Sequence, residues 1–532
     1  MIRSLVRFGV CVLVVTGLSV VGAPSPVVAA ATREVVVTGG AIAGVVSDGV
    51  VEYLGIPFAG STGGAARFGA PRPVSGWSGA RSARGHGPQC PQNGYLPALP
   101  TAGPTGEDCL TIDVYAPDGA VGRNLPVMVF FHGGGYTTGS NAQYDAPTRM
   151  VAEGDVIVAV PNYRLGPFGF LSLPELAAES GGATGTVGIQ DQQAALRWVR
   201  DNARAFGGDP GAVTIFGESA GGGSVCTHFA APGSDGLYDK AIVQSGSCAR
   251  SPLVPGGRAD SFARSARFAD SVGCGDPATR LACLRGLPAE RLLDASAGQS
   301  DDSTPTWVPV IDGVVVTRDL EAALRDRVDR IPLIVGSNGD EGAQFVAESD
   351  YARGRIPDAE SYQSYVRWTF GTYADAILAR YPVADYPSPA AAQSAVITDG
   401  LFACPALWTG RLARDAGHPV WQYEFDEAPL GDGNPLLPGA FHSAELFYLF
   451  NGVFGVPLPW TGASAVFGEQ MRRWWTTFAH TGDPNAPGSG PWSAWPGPPG
   501  DGAVLIMRAT GSFMSDDFPV RHHCEFWAAR PM

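Results

Sequence analysis

The segment Val213–Gly223, VTIFGESAGGG, carries the strongest chemical signal in the chain. A β-branched and aromatic run, VTIF, leads into Gly217-Glu218-Ser219-Ala220-Gly221, a G-x-S-x-G. A serine at the centre of such a turn stands on a strained backbone where a strand gives way to a helix, which exposes its Oγ. The positions two before and two after must be small for strand and helix to approach so closely. The chemistry this permits is nucleophilic attack by Ser219. Any Gly-rich sequence produces G-x-S-x-G by chance, so the strand-like run before it and the small residues after it give the motif its weight. A second signal is His132-Gly133-Gly134-Gly135-Tyr136, directly after another apolar run. Consecutive glycines let backbone N–H groups point into a cavity unobstructed. Together with the N–H after the nucleophile they can hold the oxyanion of a tetrahedral intermediate. Alone, such a run reads as a flexible turn; the pairing with Ser219 makes it a candidate oxyanion site.

These residues need a rigid frame. Leu125–His132 (LPVMVFFH), Asp155–Val160 (DVIVAV), Val213–Phe216, Ala241–Gln244 and Ile331–Val335 are unbroken apolar runs, and Glu34–Tyr53 is valine-rich with Gly turns. Asp191–Phe206 predicts a helix, with Ala195, Val199 and Ala203 on one face. Unbroken apolar strands separated by helices predict an α/β fold, a large mostly parallel central sheet covered on both faces. No repeat, low-complexity stretch or linker divides the chain. One domain over residues 32–532 with long loop excursions is expected, although 532 residues would suggest several domains by length alone.

Composition excludes other classes. Hydrophobic residues make up 45% and charged residues 16%, enough apolar surface for a large core, so a disordered chain is excluded. The 71 Gly and 44 Pro follow no period, which excludes a collagen-like chain. A net charge of −15 without a basic patch argues against a nucleic-acid partner.

The N-terminus has the anatomy of a secretory leader. Arg3 and Arg7 precede the apolar run Phe8–Ala23, and Val28-Ala29-Ala30 offers small residues for cleavage near Ala30 or Ala31. The run is about 16 residues, short of the ~20 that spanning requires. No later apolar run reaches that length, so no stable membrane insertion is expected once residues 1–31 are removed. Cys11 lies in the leader. The remaining cysteines, Cys90, Cys109, Cys226, Cys248, Cys274, Cys283, Cys404 and Cys524, are even in number and lack metal-ligand spacing. That suggests four disulfides in a secreted protein and no metal site. The preference for Arg over Lys, the abundant Ala and Gly, and the absence of N-x-S/T sequons point to a high-GC bacterial source.

From about Val36 to Trp527 the chain resembles the type-B carboxylesterases. This α/β-hydrolase family includes the cholinesterases and the bacterial para-nitrobenzyl esterases, and the latter are nearest in character. Its landmarks are LGIPFAG (54–60), RFGAP (67–71), EDCLTIDVY (107–115), HGGGY (132–136), NYRLGPFGFL (162–171), FGESAGGGSV (216–225), VPVIDG (308–313), GDEG (339–342), HSAEL (442–446) and GDPN (482–485). One departure is Thr186 in GTVGIQDQ, where the family usually has Asn. The resemblance implies a catalytic triad of Ser219, Glu341 and His442, in the chain order this fold uses. Asp340 is the rival acid, and pattern alone does not exclude His418 or His480 as the base. The oxyanion donors fall on the N–H groups of Gly134, Gly135 and Ala220, while Glu218, Ser245 and Glu445 are expected to back the triad. The family's disulfides imply Cys90–Cys109, Cys274–Cys283 and Cys404–Cys524, which leaves Cys226 to pair with Cys248 by elimination.

What the resemblance implies is a serine carboxylic-ester hydrolase that needs no metal or organic cofactor. Its partner is a small-molecule ester substrate, and a monomer is favoured. Activity is expected to rise with pH as His442 becomes neutral, on the order of pH 6–7 for an unperturbed imidazole. The segment between Cys90 and Cys109 is short and lacks Trp, which favours soluble esters over lipids and leaves quaternary ammonium recognition unsupported there. Ser303–Trp307, where cholinesterases carry Phe, hints at a roomier acyl site, and Trp307, Phe447 and Tyr448 are candidate lining residues or core. Two other readings share this fold. One is a lipase, polyester, carbamate or amide hydrolase with the same triad; the other is a non-catalytic adhesion or binding protein, which usually lacks the serine.

Overall fold

The structure is a computed structural model that describes residues 31–530 apart from 94–102, 145, 251–254, 298–306, 352–353, 432–433, 435–436, 454–455, 458–459, 486–491 and 496–501. The expected leader therefore lies outside the described residues except for Ala31. So do Ser303–Thr306 and half of the segment between Cys90 and Cys109.

Thirteen strands form one twisted sheet. In chain order they are β1 (Thr32–Val37), β2 (Gly40–Ser47), β3 (Val50–Pro57), β4 (Ala80–Ser82), β5 (Thr111–Pro117), β6 (Leu125–Phe131), β7 (Ile157–Pro161), β8 (Gly208–Glu218), β9 (Lys240–Gln244), β10 (Leu333–Asn338), β11 (Val420–Phe425), β12 (Val504–Met507) and β13 (Phe513–Ser515). Their spatial order is β1-β2-β3-β5-β7-β6-β8-β9-β10-β11-β12-β13, with β4 beside β2. From β7 to β12 all neighbours are parallel. Both ends turn antiparallel: β1, β2, β3, β5 and β7 at one, β13 at the other. The valine-rich N-terminal pairs are joined by tight Gly turns, and only antiparallel strands can be joined so briefly.

The helices that position the site are α1 (Thr148–Gly154), α2 (Val187–Asn202), α3 (Ala220–Phe229), α4 (Gly342–Ser349), α5 (Pro389–Ile397), α6 (Cys404–Asp415), α7 (Gly462–Thr481) and α8 (Cys524–Ala528). Every residue of β6, β7, β10 and β11 is buried, as strands covered on both faces must be. Alternate residues of β6 enter two different cores. Val127, Val129 and Phe131 pack with α2, α3 and α6, whereas Met128 and Phe130 pack with α1 and α7. The expected helix over 191–206 starts earlier, at Val187, and its last turn tightens into a 3-10 segment, Ala203–Phe206. It stops at Gly207, whose φ of +90° and whose contact with Ala120 exclude any side chain.

Between α5 and α6 lies a π-helix, Thr398–Ala403, so that Pro389–Asp415 runs as one helical stretch of 27 residues. By length and hydropathy alone this stretch could cross a membrane, which the reading of the sequence did not anticipate. It is mostly buried inside the protein, because its apolar residues pack in the core. The disulfides join Cys90 to Cys109, Cys226 to Cys248, Cys274 to Cys283 and Cys404 to Cys524. Thr186 donates to buried Asp312 at 2.9 Å, a carboxylate that also gathers the N–H groups of Thr184, Val314, Val315 and Val316. The departure at 186 thus anchors a loop and leaves the catalytic elements untouched.

Candidate active site

The turn that carries the candidate nucleophile follows from what its neighbours allow. Ser219 sits between β8 and α3 at φ +58° and ψ −122°, a backbone region that non-glycine residues rarely occupy. A Cβ on Gly217 would lie 2.5 Å from the Gly221 backbone, and one on Gly221 would lie 1.9 Å from the Phe131 carbonyl. Those two contacts are why the serine is flanked by glycines. The Ser219 N–H donates to the Gln244 carbonyl at 2.9 Å, which ties the turn to β9. Backbone strain of this kind, on the order of 1–3 kcal/mol, persists only where surrounding packing fixes it.

Beside the turn runs the glycine loop after β6. Gly134 has φ +102°, and a Cβ there would collide with Thr138. Its carbonyl accepts from the N–H groups of Thr137 and Thr138, both at 3.0 Å. The N–H groups of Gly134 and Gly135 donate to nothing among the described residues. Ala220 is the first residue of α3, where an N–H has no intrahelical partner. The N–H groups of Gly134, Gly135 and Ala220 are therefore uncommitted among the described residues.

The candidate acid and base come from loops at the carboxyl ends of the next strands. Glu341 follows β10, and His442 lies in the segment after β11. A single bridge between Asp340 and Phe441 holds the two loops side by side. His442 Nδ1 lies 2.6 Å from Glu341 Oε2, with both groups buried. The Asn338 N–H fixes the other Glu341 oxygen at 2.8 Å. Asp340, the rival acid, accepts instead from the Ala440 N–H. His418 is held by the carbonyls of Ile331 and Leu324, and His480 by that of Gly154, so neither approaches Glu341. His442 Nε2 faces Glu218 Oε1 at 3.2 Å, and Ser219 Oγ makes no hydrogen bond to it in this structure. Catalytic hydrogen bonds of this sort commonly tighten only when substrate is bound.

Three buried glutamates surround this one imidazole. Burial pushes Glu218 up to about 7 and Glu445 up to about 8. Glu445 accepts from Gln244 at 3.1 Å and Asn338 at 2.7 Å. Burial alone would lower the His442 imidazolium, but the carboxylates of Glu218 and Glu341 outweigh it and hold it up to about 9. The expectation of an unperturbed imidazole is corrected accordingly: negative charge in a dry site favours the protonated ring. Ser245 lies in the expected place with φ +48°, but its buried Oγ has no partner, and its N–H, which donates to the Gly336 carbonyl, is what it contributes.

Some of the site escaped the sequence. The rings of Phe345 and Phe402 lie 5.0 and 4.8 Å from the His442 ring and stack on each other at 5.4 Å. Phe345 stands one helical turn after Glu341, a spacing that could have revealed it; Phe402 lies on the π-helix and had no such signal. Ser443 donates to Glu218 Oε1 at 2.8 Å. The candidate pocket residues belong to the packing: Trp307 is buried edge-on to Phe268, Phe447 packs on Phe441, and Tyr448 stacks on Trp460.

The sequence matches the model of the Carboxylesterase family over residues 31–527. It is 34% identical over 473 residues to para-nitrobenzyl esterase from Bacillus subtilis (strain 168), covering 85% of this chain and 91% of that one. It is 36% identical over 471 residues to carboxylesterase 5A from Felis catus, covering 83% and 84%. A solved structure titled PNB esterase superposes with a TM-score of 0.75 at 30% identity, covering 92% of this chain and 99% of that one. The fold is that of an α/β-hydrolase, and the chain belongs to the carboxylesterase family, a serine-type ester hydrolase.

Proposed function

We propose that the chain is a secreted carboxylesterase, one domain over residues 32–532 after a leader of residues 1–31, that cleaves short-to-medium acyl or aromatic esters through an acyl-enzyme. The observation that carries this reading is the Glu341–His442 contact at 2.6 Å beside a serine on a strained turn. In the proposed cycle Ser219 Oγ attacks the ester carbonyl and His442 Nε2 takes its proton. Glu341 fixes the ring through Nδ1 and stabilises the imidazolium. The N–H groups of Gly134, Gly135 and Ala220 receive the oxyanion, and each such donor supplies on the order of 3 kcal/mol to the transition state. The imidazolium returns its proton to the leaving alcohol, and water, activated by the same imidazole, then releases the acid. Four disulfides support the extracellular reading.

The test is hydrolysis of p-nitrophenyl esters from acetate to palmitate by wild type and Ser219→Ala. Turnover of short chains with a loss of at least ~10³-fold in the variant is expected. A maximum at long chains above their solubility would make it a lipase, and equal inertness of both proteins would overturn the enzymatic mechanism.

A further inference from the structure

Ser443 occupies a position that a side chain makes costly. Its φ is +68°, the left-handed region that glycine adopts freely and L-residues avoid. The residue is buried, and its hydroxyl is directed to one atom, Glu218 Oε1, at 2.8 Å. That oxygen is also the one facing His442 Nε2 at 3.2 Å. The other end of the same carboxylate rests against the oxyanion loop, where a Cβ on Gly133 would lie 2.8 Å from Glu218 Oε2. Glu218 is thus gripped between the histidine loop and the glycine loop, and Ser443 supplies the hydrogen bond on the histidine side.

We propose that Ser443 is a positioning residue for ester hydrolysis: its hydroxyl fixes the Glu218 carboxylate beside His442, so that the imidazolium formed when Ser219 gives up its proton meets a standing negative charge. The proposal rests on His442 being the proton acceptor. A hydroxyl that donates to a carboxylate favours its ionised form, and an ionised carboxylate next to an imidazole favours the imidazolium. The remaining groups facing Glu218 set the balance that Ser443 adjusts. They are Glu341 and Glu348 from the acid turn and α4, Glu445 from the histidine segment, and the hydroxyls of Tyr144, Tyr163 and Tyr423. All of the carboxylates repel charge on Glu218, so a neutral donor is what can steady it without adding a competing cation. Without the hydroxyl, Glu218 takes up a proton more readily and relinquishes the imidazole. His442 then becomes neutral at lower pH, but the imidazolium of the transition state loses support.

The experiment compares pH profiles of kcat/KM and kcat on p-nitrophenyl acetate for wild type, Ser443→Gly, Ser443→Ala, Glu218→Gln and Ser443→Gly/Glu218→Gln, with Ser219→Ala as control. Ser443→Gly relieves the backbone while removing the hydroxyl; Ser443→Ala removes the hydroxyl alone. Both should move the acid limb of kcat/KM down by about 0.5 pH unit, about threefold in rate on the limb, and lower plateau kcat with KM unchanged. Glu218→Gln should move the limb further in the same direction, and adding Ser443→Gly to it should produce no further shift. A wild-type limb in both serine variants, or an equal shift with and without Glu218, overturns the proposal. If Ser219→Ala retains full activity, the underlying assignment of the triad has failed instead.

Discussion

Two buried histidines in this fold are both held cationic by carboxylates, yet they are built for opposite purposes. His522, just before Cys524, is saturated. Its Nδ1 meets Asp399 at 2.6 Å and its Nε2 meets Glu424 at 3.1 Å, while Tyr381 at 2.8 Å and the Arg521 guanidinium occupy the remaining oxygens. Burial works against that cation, but Asp399 and Glu424 outweigh it and raise His522 to about 10. Burial would likewise raise Glu424, yet His522 and Arg521 hold it down at about 2. Around His442, by contrast, Glu218 and Glu445 are themselves pushed up and have no arginine partner among the described residues. The difference is one added cation. With Arg521 present the cluster is locked and structural; with no such cation among the described residues, Glu218 and Glu445 hold their negative charge less firmly than Glu424, and the proton can move.

The sharpest way to break this comparison is to neutralise one carboxylate in each cluster. Glu341→Gln should cost about 10⁴ in kcat, since the amide can favour the wrong tautomer. Asp399→Asn should leave kcat within a few-fold, and steady-state kinetics on one ester decides it. The next effect is on stability. His522→Gln strands two buried carboxylates and should cost about 3–5 kcal/mol in urea unfolding, with ester turnover retained by the molecules that remain folded. If both properties fall together, the clusters are not separate devices.

The third expectation concerns pH. His442 must be neutral to accept a proton, so kcat/KM should rise through a limb above the ordinary imidazole value, toward about 9. His522 contributes the opposite sign: its raised value stabilises the fold fully below about 6.5 and loses that contribution as pH climbs through about 10. Activity and melting temperature should therefore diverge between pH 7 and 10, and parallel curves would contradict the assignment. The smallest effect is expected for Phe402→Leu, which removes one ring from His442. A loss of about 1 kcal/mol, read as several-fold in kcat with little change in KM, is the expected outcome.

Much of the site was legible because it is local. Ser219, its glycines and the oxyanion loop are written in contiguous residues, and the order of serine, acid and histidine follows the order of β8, β10 and β11. What stayed hidden works across space. His522 stands two residues before a cysteine in sequence, but its partners Asp399 and Glu424 lie about a hundred positions earlier, and no spacing rule connects them. The π-helix at Thr398–Ala403 has no local signature either. It places Asp399 toward His522, Phe402 against His442 and Thr398 Oγ1 on the Gly342 N–H at 3.0 Å, next to the acid. The upward displacement of His442 was missed for the same reason, since it arises from glutamates contributed by three segments far apart in the chain, Glu218, Glu341 and Glu445. The N-terminal antiparallel edge, however, was implicit in the Gly-turned valine pairs and needed only the geometry of short connections.

The four disulfides also imply a timetable. Their sequence separations are 9, 19, 22 and 120. A chain emerging from its N-terminus can close the first three while its last hundred residues are still being made, and among them is the Cys226–Cys248 bond that braces α3 against the exit of β9. Cys404 has to wait for Cys524, and the His522 cluster can assemble only then. The closing event of maturation is thus the sealing of the C-terminal segment onto the π-helix. Trapping thiols on chains as they are synthesised in an oxidising compartment should reveal a three-disulfide species that lacks the 404–524 bond. Its accumulation would identify the final residues as the clasp of the molecule.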